Sequence, residues 1–425
     1  MKYINRSLKE LQKGGISILG RKIKTLLKTL FQILSPNTLL MLIVRLIRPW
    51  HLIRFGTFRN ERIGHFAPDA GVHYARRVMG LSPGTDLYWL PREKSCNDFF
   101  DKLVRRNFHV SPLVSYLYRW NLLLPFSTPH CLPSSTTGSR DIEGLLEKSP
   151  TMLPFFPEED RAAEAWLAEQ GWQAGEPFVC LLVRDSAYLN TDLLHSGIDW
   201  NYHNYRDSNI TTYVKAAEWL AGQGLWVLRM GKVMKNPMPT DHPRIIDYAF
   251  HPEKSDFLDI WLFAHCSLCI STGTGPDMVS NIYRRPILHV NYLPLKSLWS
   301  WSDALSVPKH LVWRRNQQYL NWQEHLEHSY FYTEQYDQAG IEIIDLSADE
   351  ILLSVQEAWL TLQGDWVESE GNAARQARFW QILRADPQFD SLHGWIHPRS
   401  RVGDAWLKQM GREFLVTDDL TSVIK

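Results

Sequence analysis

Apolar positions change their spacing twice along this 425-residue chain. At the start, Leu26, Leu27, Leu30, Phe31, Ile33 and Leu34 recur at helical spacing. Pro36 interrupts that run, and Leu39 to Ile47 is apolar apart from Arg45. From His51 the runs shorten. Residues 51–56 and 87–90 read as strands, while 69–78, 99–104 and 113–124 read as helices. Ser127 to Arg140 is rich in Pro, Ser, Thr and Gly and reads as a loop. Residues 161–170 form a helix closed by Gly171, and 171–177 form a linker. After Phe178 the alternation is regular. Strands are predicted at 178–183, 225–230, 244–248, 267–270, 286–291 and 341–345, and helices at 210–222, 255–264, 276–284 and 347–362. Residues 370–425 read as helical.

Strands that alternate with helices imply a mostly parallel sheet covered on both faces. The expected fold class is α/β, with two Rossmann-like domains facing a cleft. The expected divisions are a basic amphipathic N-terminal segment (1–50), an N-terminal α/β domain (51–170), a C-terminal α/β domain (176–365) and a helical C-terminal extension (366–425).

Composition narrows the class. The chain is 44% hydrophobic and 22% charged, so it can bury a substantial core. Its net charge is zero, which argues against a nucleic-acid binder. Charge is nevertheless uneven. Lys2, Arg6, Lys9, Lys13, Arg21, Lys22, Lys24 and Lys28 face one acid, Glu10. A basic amphipathic helix beside anionic lipid gains both attraction and apolar burial. An anionic membrane surface is therefore an expected partner, against the simpler reading of an ordinary surface helix. No window reaches the roughly 20 apolar residues that span a bilayer. Five cysteines form no framework, and Cys266 and Cys269 have no second pair to complete a zinc site. Reduced, buried thiols favour the cytoplasm. The expected location is thus cytoplasmic, peripheral on the inner face of the cytoplasmic membrane.

The candidate chemistry centres on Cys266 to Leu295. A short apolar strand leads into Ser271-Thr272-Gly273-Thr274-Gly275. Pro276 and Asp277 then open a helix, and Ile287 to Val290 forms the next strand. Such a loop lies at the strand's carboxyl end, where N–H groups at a helix N-terminus suit phosphate. It matches neither glycine-rich phosphate fingerprint, so a plain tight turn is the competing reading. Two other strands end in arginine: Val183 runs into Arg184-Asp185, and Leu228 into Arg229-Met230-Gly231. Arginine forks suit a diphosphate. The alternative for Arg184-Asp185 is an ion pair that ties down its loop. Asp199 to Asn209 is polar and aromatic with no clear period, which is uncommon unless functional. No Asp-x-Asp triplet, metal-ligand spacing, Walker loop or GxSxG elbow occurs. No cofactor and no metal are expected.

RIGHFA (62–67), VRDSAYLN (183–190), DWNYHNYRDSNI (199–210), VLRMG (227–231), STGTGPD (271–277) and VNYLPL (290–295) resemble a family of bacterial glycosyltransferases associated with surface polysaccharide. The resemblance covers residues 45–320 in order and implies a GT-B-like fold. It implies transfer of a sugar from a nucleotide-activated donor to a hydroxyl of a surface glycan, of lipopolysaccharide or capsule type, or of its lipid-linked precursor. The donor-binding candidates are Arg184, Tyr188, Asn190, Arg229, Gly231, Thr272, Gly273, Thr274, Gly275 and Asp277. Arg62, Tyr202, His203 and Arg206 are acceptor or loop candidates. The strand ending in Arg184 is more distantly similar to the His-x-Arg segment of fucosyltransferases, although Leu182 stands where that family has His. His65, Asp69 and Asp185 are the candidates for the general base, and His65 also reads as a simple helix-N-terminal histidine. A nucleotide-sugar 2-epimerase and a non-catalytic glycan-binding scaffold are the alternative functions.

Overall fold

The computed structural model describes residues 36–132, 139–187 and 201–416, with side chains left aside at 36–37 and 201–203. The predicted 26–34 helix, Tyr188 and Asn190 lie outside the described residues, as do the side chains of Tyr202 and His203.

The fold is α/β. Two compact units interleave in sequence. The smaller comprises the described parts of Met1–Thr57, Ser82–Leu90 and Phe108–Pro133. Its three-stranded parallel sheet is built from β1 (Ile53–Thr57), β2 (Thr85–Trp89) and β3 (His109–Val110), in that order. Met41 and Val44 of the helix Pro36–Leu46, Phe55 of β1 and Val114 of the helix Leu113–Leu123 form its core. Arg54 and Asp86, paired in register across β1 and β2, add a two-point ion pair at 2.7 and 2.8 Å. Pro36 opens the first helix rather than merely breaking a run; its missing N–H suits that position.

The larger unit comprises the described parts of Phe58–Leu81, Pro91–Asn107 and Ser134–Lys425. Its strands are β4 (Phe178–Leu182), β5 (Trp226–Arg229), β6 (Ile245–Ile246), β7 (Leu268–Ser271), β8 (Ile287–Tyr292), β9 (Ala304–Pro308), β10 (His310–Trp313), β11 (Ile341–Ile344) and β12 (Arg401–Val402). Seven of them form a sheet of order β12-β9-β8-β7-β4-β5-β6, and every pair in it is parallel. Strands β4, β5, β7, β8 and β9 are buried along their whole length, as expected of a sheet covered on both faces. The chain runs outward from β4 through β5 to β6, then returns to β7 on the other side of β4. The β4–β7 boundary is therefore a topological switch point, where the carboxyl ends of open α/β sheets form a ligand crevice.

Three features were not anticipated. The strand Ile341–Ile344 lies outside this sheet, pairing antiparallel with His310–Trp313. The C-terminal extension, read as wholly helical, contributes β12 to the sheet edge. Finally, helices expected in a domain spanning 51–170 cluster with the larger unit. Helix Ile63–Val78 packs on Asp277–Ile282, and Asp98–Asn107 packs on Asp256–His265. No described helix is long and apolar enough to cross a membrane.

Candidate functional site

A cavity of about 480 Å³ opens at the switch point, and the described residues that line it all belong to the larger unit. Leu182, Arg184 and Asp185 reach it from the end of β4, Gly273 to Asp277 from the end of β7, and Gly231 from beyond β5. Arg62, Ile63, Gly64 and His65 line it as well, from the first turn of helix Ile63–Val78 and the residue before it.

Four arginines, Arg62, Arg140, Arg184 and Arg206, and Lys232 line the cavity and supply positive charge. Arg184 is mostly buried and donates from Nε to Asp207 Oδ1 at 2.8 Å. Its backbone closes the same loop. Arg184 N–H donates to Thr272 Oγ1 (3.0 Å), and Ser208 N–H donates to the Arg184 carbonyl (3.0 Å). Burial lowers the Arg184 pKa, and the Arg206 guanidinium lowers it further. Arg206 lines the cavity and donates to the Gly273 carbonyl. Arg140, absent from the sequence reading, also lines the cavity. It lies over the Trp301 ring and donates to the Leu392 carbonyl at 3.2 Å. Burial raises the pKa of Asp207, so that ion pair is held in a place where either charge alone is costly.

The glycine loop is organised differently from expectation. Asp277 is fully buried, and its Oδ2 accepts from Ser271 Oγ (2.7 Å) and from Thr274 N–H (2.9 Å). Gly273 N–H donates to Ser271 Oγ at 3.1 Å. The N–H groups of Gly273 and Thr274 are thus engaged inside the loop. Gly273 adopts φ +76, and a Cβ there would stand 2.5 Å from the Tyr292 ring, so a side chain at 273 disturbs the fold itself. Gly275 meets Gly64 backbone to backbone; a Cβ on Gly64 would lie 2.8 Å from the Gly275 Cα. These two glycines bring the helix carrying His65 directly onto the loop.

His65 lines the cavity and shares a 2.8 Å hydrogen bond between Nδ1 and Ser139 Oγ. Ser139 in turn bonds the buried Asp69 carboxyl. If Ser139 donates to Asp69, it accepts from His65 Nδ1–H, which leaves the Nε2 lone pair as the basic atom. Burial lowers the His65 pKa, and Arg59 and Arg62 lower it further. Burial raises the Asp69 carboxyl to about 7.

Other predicted residues fall elsewhere. Arg229 is buried and does not line the cavity. It pairs with Asp247 (3.1 Å), donates to the Asn236 carbonyl and lies over Phe250. Register explains this, because Arg229 sits opposite Leu181, three residues short of Arg184 and so roughly 10 Å below the rim. Asp185 lines the cavity, but its two oxygens accept the N–H groups of Ala187 and Lys235. Asp69 stands behind His65 and does not line the cavity, and Thr272 spends its hydroxyl on Arg184. Sequence reasoning missed Arg140, Ser139, Lys232 and Asp259. The first two end the Pro/Ser/Thr-rich loop 127–140, which carries no local signal. Asp259 sits in an apolar helix, and burial raises its carboxyl to about 6. No cluster of three or more His, Cys, Asp or Glu suited to a metal occurs among the described residues.

No protein-family model matches the sequence, and neither does any curated protein. Among solved structures, a glycosyl transferase family 9 protein from Veillonella parvula DSM 2008 is similar over 74% of this chain and 98% of its own, at 10% identity and a TM-score of 0.44. The E. coli ADP-heptose LPS heptosyltransferase II is similar over 60% of this chain and 90% of its own, at 11% identity and a TM-score of 0.33. E. coli heptosyltransferase WaaC with ADP is similar over 56% and 87%, at 10% identity and a TM-score of 0.30. At these values each is a distant likeness.

Proposed function

We propose that this chain is a glycosyltransferase that moves a sugar from a nucleotide-activated donor to a hydroxyl of a bacterial surface glycan or its lipid-linked precursor. The observation that carries the reading is one cavity at a parallel-sheet switch point. Arg184, Arg206 and Arg140 line it, and His65 lines it too, on a helix seated against the glycine loop. Arginines suit a diphosphate leaving group, and a neutral imidazole suits an acceptor hydroxyl.

In the proposed reaction the acceptor hydroxyl gives its proton to His65 Nε2 as its oxygen bonds the anomeric carbon. The bond from that carbon to the donor phosphate oxygen breaks, and the nucleoside diphosphate leaves with the electron pair. The guanidinium groups of Arg184, Arg206 and Arg140 take up the growing negative charge without a divalent cation. A single displacement of this kind inverts the anomeric centre. Of the three base candidates, His65 has the geometry, because both Asp185 oxygens hold backbone N–H groups and Asp69 lies behind Ser139. The proposed setting is the cytoplasmic face of the inner membrane.

The test incubates the protein with a panel of nucleotide sugars, with and without lipid-linked acceptor, in chelator and in magnesium. Transfer that needs acceptor and survives chelator supports the proposal. Epimerisation without acceptor replaces it with a nucleotide-sugar 2-epimerase. Binding with no turnover under any condition replaces it with a glycan-binding scaffold. Strict magnesium dependence removes the metal-free mechanism.

A further inference from the structure

The smaller unit carries an apolar surface that its core does not use. In the helix Pro36–Leu46, Thr38, Met41 and Val44 turn inward, while Leu39, Leu40, Leu42, Ile43 and Leu46 are exposed. Amphipathic helices of water-soluble domains place polar residues on the outer side; this one is apolar on both. Its one cation, Arg45, is turned to Asn121, donating to the side-chain oxygen at 3.0 Å and to the carbonyl at 3.2 Å. That contact joins it to the helix Leu113–Leu123, whose Leu113, Tyr116, Leu122 and Leu123 are also exposed. Trp50 and Phe126, just beyond the two helices, are each 81% exposed. Exposed apolar surface on this scale marks an interaction site.

Charge indicates the partner. Residues 36–50 and 111–126 contain Arg45, Arg48 and Arg119 and no Asp or Glu. The preceding 35 residues carry eight Lys and Arg against Glu10. An apolar surface whose own segments carry cations and no acid fits an anionic bilayer, which offers apolar chains beneath negative headgroups. Exposed Trp, Tyr and Phe beside leucines suit the interfacial depth of such a bilayer.

We infer that the helices Pro36–Leu46 and Leu113–Leu123, with Trp50 and Phe126, form one platform that docks this chain onto an anionic lipid surface. The helix at 113–123 supplies half of that platform, although its sequence reads as an ordinary domain helix. The platform does not rest on the chain's catalysing sugar transfer, and its test uses no substrate.

The test compares full-length wild type with a Leu46→Asp/Phe126→Asp variant by co-sedimentation with two kinds of vesicle. One is phosphatidylcholine alone, and the other is phosphatidylcholine mixed with phosphatidylglycerol. Each apolar side chain removed from lipid lowers partitioning roughly tenfold, so the double variant is expected to bind mixed vesicles about a hundredfold less well. Both positions are exposed, and unchanged far-UV circular dichroism confirms that the variant folds. Equal binding of variant and wild type overturns the platform and leaves the N-terminal cations as the anchor. Absence of vesicle binding, with a wild-type dimer in light scattering that the variant converts to a monomer, also overturns it and makes the face a contact between two copies.

Discussion

The closest backbone approach in the site gives its sharpest test. Replacing Gly64 with Ala puts a methyl carbon 2.8 Å from the Gly275 Cα, where carbon pairs rest at about 3.5–4.0 Å. The neighbour is backbone, so no side chain can swing aside, and helix and loop must separate by roughly 0.7 Å. Overpacking of this kind costs about 1–3 kcal/mol, partly offset by up to about 1 kcal/mol from the better helix propensity of Ala. The net expectation is a loss of about 1–2 kcal/mol in urea unfolding. Gly275→Ala is milder, because its Cβ meets Gly64 N at 3.0 Å and Gly64 Cα at 3.3 Å. The helix displaced by Gly64→Ala carries His65, while Arg184 and Arg206 belong to other elements, just beyond β4 and at the end of the turn Asn201–Arg206. Turnover should therefore fall by roughly 10- to 100-fold, as sub-ångström misplacement of a reacting group does, with little change in nucleotide affinity. Unfolding curves, single-turnover rates and nucleotide titrations on both variants decide the matter. A Gly64→Ala protein with wild-type stability and rate, or a Gly275→Ala protein that is worse on both counts, refutes the reasoning.

Arg184→Ala should lower kcat/KM by roughly 30- to 1000-fold, since it removes a charge from the leaving group's site and strands Asp207; Lys should rescue little of the loss. Arg229→Ala should instead lower stability by about 3–5 kcal/mol, by breaking a buried pair, and leave the nucleotide affinity of the folded protein unchanged. Asp69 gives a stability slope. Its folded pKa is raised from 3.8 to about 7, so its contribution is fully present below 3.8 and is lost as pH rises through about 7, by at most about 4 kcal/mol. Asp69→Asn should flatten that slope, and equal wild-type-to-variant differences in urea midpoint at pH 5 and pH 8 would count against it. In the rate profile, loss of activity on acidification should lie below the ordinary histidine value, because burial and two arginines lower the His65 pKa. A limb above that value assigns the base elsewhere.

Much of the larger sheet is legible because parallel strands buried on both faces appear as unbroken apolar runs, as in Phe178 to Leu182 and Leu268 to Ile270. Strand β9 and the strand His310–Trp313 are harder to see, because Pro308 and Lys309 interrupt one apolar stretch and conceal two strands. Ile341–Ile344 was legible as a strand, but which strand it pairs with depends on contacts remote in sequence. Within the site, strand ends located Arg184 and the 271–275 loop. They misled at Arg229, because counting from a strand's apparent end does not give its register. The destination of the Asp277 carboxylate was equally hidden. A first-turn acid looks the same in sequence whether it faces a ligand or folds back onto Ser271 and Thr274.

The interleaving of the two units affects how the polypeptide can be cut and how it must be made. The backbone passes from one unit to the other five times, after residues 57, 81, 90, 107 and 133. No single scission therefore yields either unit intact, and a truncation near residue 170 leaves the larger one without the helices Ile63–Val78 and Asp98–Asn107. On the ribosome, those two helices emerge long before the strands of the sheet they join. Their apolar faces must wait for partners that are roughly 150 to 200 residues downstream. Such long-range closure slows folding and prolongs exposure of sticky surface. The chain should consequently refold poorly from denaturant at high concentration and depend on chaperones during synthesis.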